Sequence, residues 1–95
     1  MRVEIKKSNN KNKKFMAIFY DGDKKIKTTH FGASGMSDYT IHNDDDRKKR
    51  YLDRHRKNEK WNDYMTAGAL SRWILWNKKN LKSSVLDYKK RFKLI

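Results

Sequence analysis

Residues 15–31 read FMAIFYDGDKKIKTTHF, and this stretch decides the fold of the 95-residue chain. Residues 15–20 form an apolar run of strand length. Asp, Gly and Asp at 21–23 are a turn signal. Residues 25–31 contain two Thr residues, which suit a pleated surface. The segment therefore predicts a β-hairpin centred on the glycine.

The residues on either side of the hairpin extend the prediction. Residues 2–6 alternate polar and apolar side chains, which is typical of a short strand. Together with the hairpin they predict a three-stranded antiparallel meander within residues 1–31. Residues 32–43 follow as a loop, in which Gly32 and Gly35 allow backbone conformations that other residues resist.

Three helices are predicted within residues 44–95. Asp44-Asp45-Asp46 supplies an N-cap and acidic first-turn residues for a helix over Asp45–Lys60. A second helix is predicted over Ala67–Trp76 and a third over Leu81–Phe92. The third has Leu, Val, Tyr and Phe at spacings of four, three and four, the pattern of an amphipathic helix. The sequence thus predicts a single small α+β domain covering residues 1–95.

The charge of the chain points to an anionic partner. Lys and Arg number 25 against 11 Asp and Glu, a formal net charge of +14. Such an excess destabilises a small compact domain, and its usual use is binding the phosphate backbone of a nucleic acid. The chain has no Cys, no apolar run near the ~18 residues of a membrane span, and no apolar signal-peptide region at its start. We expect an intracellular or particle-borne protein that is not secreted.

The best-defined candidate contact surface lies on the first predicted helix. Spacings of three, four and three place Arg47, Arg50, Arg54 and Lys57 on one face, from which guanidinium groups can bind successive phosphates. The alternative is a solvated face, with Asp46–Arg50 and Asp53–Lys57 as i,i+4 ion pairs.

Residues 64–95 have the largest excess of positive charge of any segment, with eight Lys and Arg residues against one acid. The predicted phosphate-binding residues here are Lys82, Lys89, Lys90 and Lys93, with Arg72 as a further candidate. Lysines at 6, 7, 11, 13 and 14 form either a mobile arm that orders on nucleic acid or a solvated hairpin loop.

Aromatic and titratable residues suggest fewer functional roles. Trp73 and Trp76 are expected in or beside the core, and Trp61 is the most open candidate for base stacking. His55 and Glu59 have an i,i+4 spacing that can hold a metal, but no second ligand pair accompanies them. We predict no metal, no cofactor and no enzyme activity, with a metal-dependent nuclease as the third hypothesis.

Four segments resemble a family of small basic proteins encoded by large double-stranded DNA viruses of algae and protists. They are Thr29–Ala33, Gly35–His42, the set Arg54, His55, Glu59 and Trp61, and Thr66–Asn77. Members of the family often have Pro where this chain has Tyr64 and Lys79. The resemblance covers roughly residues 15–95 and implies a viral origin and presence in the virion or infected-cell interior, but no activity.

The predicted function is binding of viral nucleic acid without strong sequence specificity, in genome packaging or condensation. The expected partner is DNA ahead of RNA, contacted through phosphates, with other virion proteins as further partners. The alternative is a minor capsid or internal virion protein whose basic faces contact acidic protein or a membrane surface. The 32–43 loop is expected to pack on the first helix through Tyr39 and His55.

Overall fold

The computed structural model describes all residues from 1 to 95 and confirms the α+β fold class. A three-stranded sheet is followed by four helical segments. The strands are β1 (Arg2–Lys7), β2 (Lys13–Asp21) and β3 (Lys24–Ala33). The helices are α1 (Tyr39–His42), α2 (Asp45–His55), α3 (Ala67–Leu70), which continues as a π-helical turn over Ser71–Leu75, and α4 (Leu81–Arg91).

The sheet is the predicted antiparallel meander, in the order β1-β2-β3. Gly22 sits in the β2–β3 turn at a φ of 62°, in the left-handed region that glycine adopts at little cost. A register shift between Phe19 and Tyr20 bends the hairpin. The outer edge of β3 is open at Lys24–Lys27, where every side chain is exposed.

The core lies between one face of the sheet and the helices. Its nine residues come from the strands, the α3–π segment, α4 and the C-terminal end: Val3, Ala17, Phe19, Phe31, Leu70, Ile74, Leu75, Tyr88 and Leu94. Burial raises the pKa of the Tyr88 phenol, whose hydroxyl donates a hydrogen bond to the carbonyl of Tyr64. The predicted apolar face of α4 is therefore correctly placed.

The wider π-helical turn changes how the third helical segment meets the core. The amide of Trp76 donates to the carbonyl of Ser71, five residues earlier, and Ile74 and Leu75 are both buried. The prediction of one regular α-helix over Ala67–Trp76 was wrong in this respect.

Two further features differ from the prediction. α2 ends at His55 rather than Lys60. The chain turns after this residue, where the Asn58 amide donates to the His55 carbonyl and the Glu59 carboxylate contacts Trp61 and His55. The 32–43 loop contains the unpredicted one-turn helix α1. Asp38 caps its start through the amide of Thr40.

Candidate nucleic-acid interface

Four neighbouring concavities form one continuous surface, since each shares lining residues with the next. We call this surface the basic band. Its lysines and arginines are Lys6, Lys7, Lys13, Lys14, Arg47, Arg50, Arg54, Lys82 and Lys89. Asp38 is the one acidic residue that lines it. The band therefore joins the two basic regions predicted separately on α2 and α4.

One end of the band is a groove of about 490 Å³ between α4 and the start of the sheet. Lys82 and Lys89 of α4 face it from one side, and Lys6 and Lys7 at the end of β1 from the other. Its floor is apolar and consists of Ile5, Phe15, Leu81, Val85 and Leu86. Apart from Lys6, which pairs with Glu4, these lysines form no ion pair, so no acid of the protein neutralises their charges.

The middle of the band is built by the β1–β2 connection. Lys7, Lys13 and Lys14 line a concavity of about 390 Å³ together with the α1 region. The Lys14 ammonium lies 2.6 Å from the Asp38 carboxylate, and that carboxylate side chain is 3% exposed. This buried ion pair fixes the hairpin to the N-terminus of α1. Lys7, Lys13 and Lys14 are thus part of a strand-bounded surface.

The other end of the band is lined by three arginines of α2. Arg47, Arg50 and Arg54 surround a concavity of about 220 Å³ with Met36, Ser37 and Trp76. None of these guanidinium groups makes a salt bridge or a side-chain hydrogen bond within the protein. The predicted helical spacing therefore does place them on one face.

The alternative ion pairs on α2 do not form. Asp53 accepts from Lys49 at 2.9 Å instead of pairing with Lys57. Asp44 accepts from the amides of Asp46 and Arg47 as the N-cap, and these hydrogen bonds lower the pKa of its carboxyl group. No acid of α2 forms an ion pair with the arginine face, although Arg50 is close enough to Asp44 to contribute to the lowered pKa of that carboxyl group.

A stack of rings holds α2 against the rest of the molecule. The rings of Tyr51 and Trp76 are parallel within 4°, with centroids 4.2 Å apart. His55 stacks on the same tyrosine, also at 4.2 Å. Burial raises the pKa of the Tyr51 phenol. Trp76 also lines the band, and the face of its indole that Tyr51 covers is not free to stack on a base.

The 32–43 loop does pack on α2, but its contact differs from the one expected. The Tyr39 hydroxyl donates to Asp45 at 2.5 Å, and this hydrogen bond is the main reason that the pKa of Tyr39 is raised. The Lys48 ammonium lies 4.6 Å from the centre of the Tyr39 ring. His55 contacts Tyr51 and Glu59 instead, so its pairing with Tyr39 was wrong.

His55, Glu59 and Trp61 lie together as a structural unit. The two carboxylate oxygens of Glu59 are held by the His55 ring at 3.1 Å and the Trp61 indole N–H at 3.0 Å. Gly68 makes room for this carboxylate, since a Cβ there would lie 3.0 Å from its carbon. No group of three metal-ligating side chains comes together in the structure.

Four of the nine predicted contact residues lie outside the band. Lys57, Lys90 and Lys93 are exposed elsewhere. Arg72 is half-buried, with its guanidinium carbon 4.2 Å from the Trp73 ring and a hydrogen bond to the carbonyl of Trp76. Burial is the main cause of its lowered pKa. The prediction of Arg72 as a phosphate contact is therefore corrected to a packing role.

Trp61 and Trp73 line a separate open depression with Glu59 and Asp63. Two acids beside these rings make the depression unfavourable for phosphate.

The sequence reasoning missed Ser37 and the hairpin lysines as members of one surface. The only signal in the sequence was the position of Lys6–Lys7 and Lys13–Lys14 on either side of one turn.

The fold and the band define a small basic α+β domain with one continuous cationic surface. Residues 3–55 match DUF5754, a family of unknown function, and the chain belongs to that family. The matched region contains the sheet from Val3 onward, α1 and α2, and so includes all of the band except Leu75, Trp76 and its α4 side. No curated protein and no solved structure matches the chain. None of the helices has the length and apolar character required to cross a lipid bilayer.

Proposed function

We propose that this protein binds nucleic acid through its phosphates, without strong sequence specificity, along the basic band. The observation that carries the proposal is the continuity of the band: nine lysines and arginines line it and a single acid, itself paired with Lys14, interrupts it. Regularly spaced phosphates are the polyanion that such a surface fits, because each neutralised phosphate releases a counterion and contributes to affinity.

The composition of the band favours backbone contacts over base reading. Its charged side chains are nine Lys and Arg residues and one Asp, and Lys and Arg position a protein on the phosphates without carrying sequence information there. Its most prominent aromatic, Trp76, is covered on one face by Tyr51. Non-specific binding of this type is almost entirely electrostatic.

We further propose that the nucleic acid is a viral genome, DNA before RNA, and that the protein acts in its packaging or condensation. The support is the resemblance of segments in residues 15–95 to small basic proteins of large DNA viruses, together with the charge of +14. This setting places the protein in the virion and in the interior of the infected cell.

A salt titration tests the proposal. The protein is titrated into labelled duplex DNA and structured RNA of several sequences, and fluorescence anisotropy is followed at several salt concentrations. We expect the logarithm of the association constant to fall linearly with the logarithm of salt concentration, by about 0.9 per phosphate neutralised on duplex DNA. Absence of binding at moderate salt would contradict the proposal.

Charge-matched variants locate the contacts. Lys82→Gln with Lys89→Gln removes two charges from the band, and Lys25→Gln with Lys27→Gln removes two from the β3 edge. The band variant should reduce the salt slope by about two, since one phosphate contact contributes about one to it. The β3 variant should leave the slope close to that of the parent protein. Equal losses in both would mean that net charge alone, and not the band, produces the binding.

A second candidate function follows from the groove at the α4 end. Its apolar floor and the exposed Leu86 also suit an acidic amphipathic protein segment, as a minor capsid or internal virion component would require. Disrupted particles separate the two functions: a genome-binding protein fractionates with the nucleic acid and is released by nuclease, whereas a capsid component stays with the shell.

A further inference from the structure

Three arginines converge on one small space at the α2 end of the basic band. The concavity of about 220 Å³ is lined by Arg47, Arg50, Arg54 and the hydroxyl-bearing Ser37, and by no acid. None of the three guanidinium groups has an ionic partner elsewhere in the protein. Three unpaired positive charges therefore surround one space, whereas binding a single phosphodiester of a nucleic-acid backbone requires only one.

The charge of the occupant follows from this density. A phosphodiester carries one negative charge, whereas a phosphate monoester carries about −1.5 to −2 at neutral pH and offers three acceptor oxygens. Guanidinium groups bind such oxygens bidentately. Three arginines around one space therefore match a monoester better than a diester.

The adjoining concavity has the character expected for the rest of a nucleotide. It shares Met36, Ser37, Arg54 and Trp76 with the arginine space and measures about 350 Å³. Its further lining includes the small or apolar Gly32, Ala33 and Leu75, the rings of Tyr51 and His55, and the Lys14–Asp38 ion pair. Ligand sites combine such mostly apolar walls with a few polar groups that fix orientation.

We propose that this pair of concavities binds a phosphorylated end of a nucleic acid, with the terminal phosphate monoester among Arg47, Arg50 and Arg54 and the last nucleoside beside Gly32 and Leu75. The inference rests on the proposed function and deepens it, since it adds recognition of ends to binding along the backbone. The shared chemistry is a terminal monoester, and it can be supplied by a 5′ or a 3′ end.

The experiment compares one oligonucleotide in three forms: with a 5′-phosphate, with a 3′-phosphate and with hydroxyl groups at both ends. Anisotropy is measured at fixed salt, with a nucleoside monophosphate as competitor. We expect about tenfold tighter binding of at least one phosphorylated form, the effect of roughly one extra charge-assisted hydrogen bond. The phosphorylated form that binds more tightly than the hydroxyl form identifies the end that the protein recognises.

Variants assign the preference to the arginines. Arg47→Gln with Arg50→Gln should abolish the difference between phosphorylated and hydroxyl ends, while Lys82→Gln with Lys89→Gln should weaken all three forms equally and preserve it. All four side chains lie outside the core, and circular dichroism checks that both variants fold.

The failures of the two proposals are distinguishable. Equal affinity for all three forms, or a preference that survives loss of the arginines, would overturn end recognition and leave backbone binding intact. Absence of binding to every form would overturn the proposed function and this inference with it.

Discussion

Gly32 is the position where a single methyl group should do the most damage to the fold. Its φ is +80°, and a Cβ built there would lie 2.8 Å from Cδ1 of Leu75. Leu75 is 2% exposed and belongs to the core, so its side chain has to leave its packed position to make room for the methyl group. Gly32→Ala therefore combines backbone strain with overpacking.

The size of the effect can be worked from these two causes. A non-glycine residue in the left-handed region costs about 1–2 kcal/mol, and forcing an extra methyl group into a packed core costs about 1–3 kcal/mol. The free energy of unfolding should fall by roughly 2–5 kcal/mol, measured by urea denaturation followed by circular dichroism.

Gly35 provides the matched control. Its φ is +81°, nearly the same as that of Gly32, but nothing lies within 4 Å of a Cβ built there. Gly35→Ala should thus lose only the backbone part, about 1–2 kcal/mol. If both substitutions lower the free energy of unfolding by the same amount, the tight packing of Leu75 against Gly32 would be refuted. The proposed site would then lose the argument that Gly32 and Leu75 form a rigid part of its wall.

Two further predictions concern carboxylates near the band. Asp38→Asn should lower the free energy of unfolding in urea by about 3 kcal/mol, because it leaves the Lys14 ammonium without its partner in a buried site. The Lys14 and Asp38 side chains there are 15% and 3% exposed. As a control, Lys49→Gln breaks the exposed Lys49–Asp53 pair and should lower it by less than about 1 kcal/mol. Asp44 has a pKa in the folded state below its ordinary value of 3.8 because it accepts backbone hydrogen bonds at the start of α2, so its contribution to stability is complete above that value and is lost as pH falls through the lowered pKa. Thermal denaturation between pH 7 and pH 2 should show a shallower acid loss for Asp44→Asn than for the parent protein, and an identical profile would contradict the capping role.

The parts of the fold that sequence reasoning predicted are those set by local patterns. The β2–β3 hairpin follows from one apolar run and Gly22, and α4 follows from the spacing of its apolar residues. The end of α2 was missed because helix propensity continues through residues 56–60, whereas the chain turns there and Glu59 contacts His55 and Trp61, four and two residues away. Single side-chain contacts of this kind leave no periodic signal.

The candidate site divides in the same way. The arginine face of α2 is a consequence of helical spacing, and the sequence predicts it directly. The sequence does not predict the continuity of the band, because it depends on Lys7 and Lys14 lying beside residues 24 to 82 positions away in the chain. Arg72 has the same charge as its neighbours but is enclosed by Trp73, and only tertiary packing distinguishes it.

The open edge of β3 suggests a second role for the lysines that lie outside the band. Unpaired strand edges tend to recruit the edges of other sheets, and lysines are a common protection against this. Lys24, Lys25 and Lys27 stand exposed along that edge, so two copies that approach edge to edge repel each other. A bound polyanion or concentrated salt screens this repulsion, and the conditions that neutralise the protein are therefore also those in which its sheets can join.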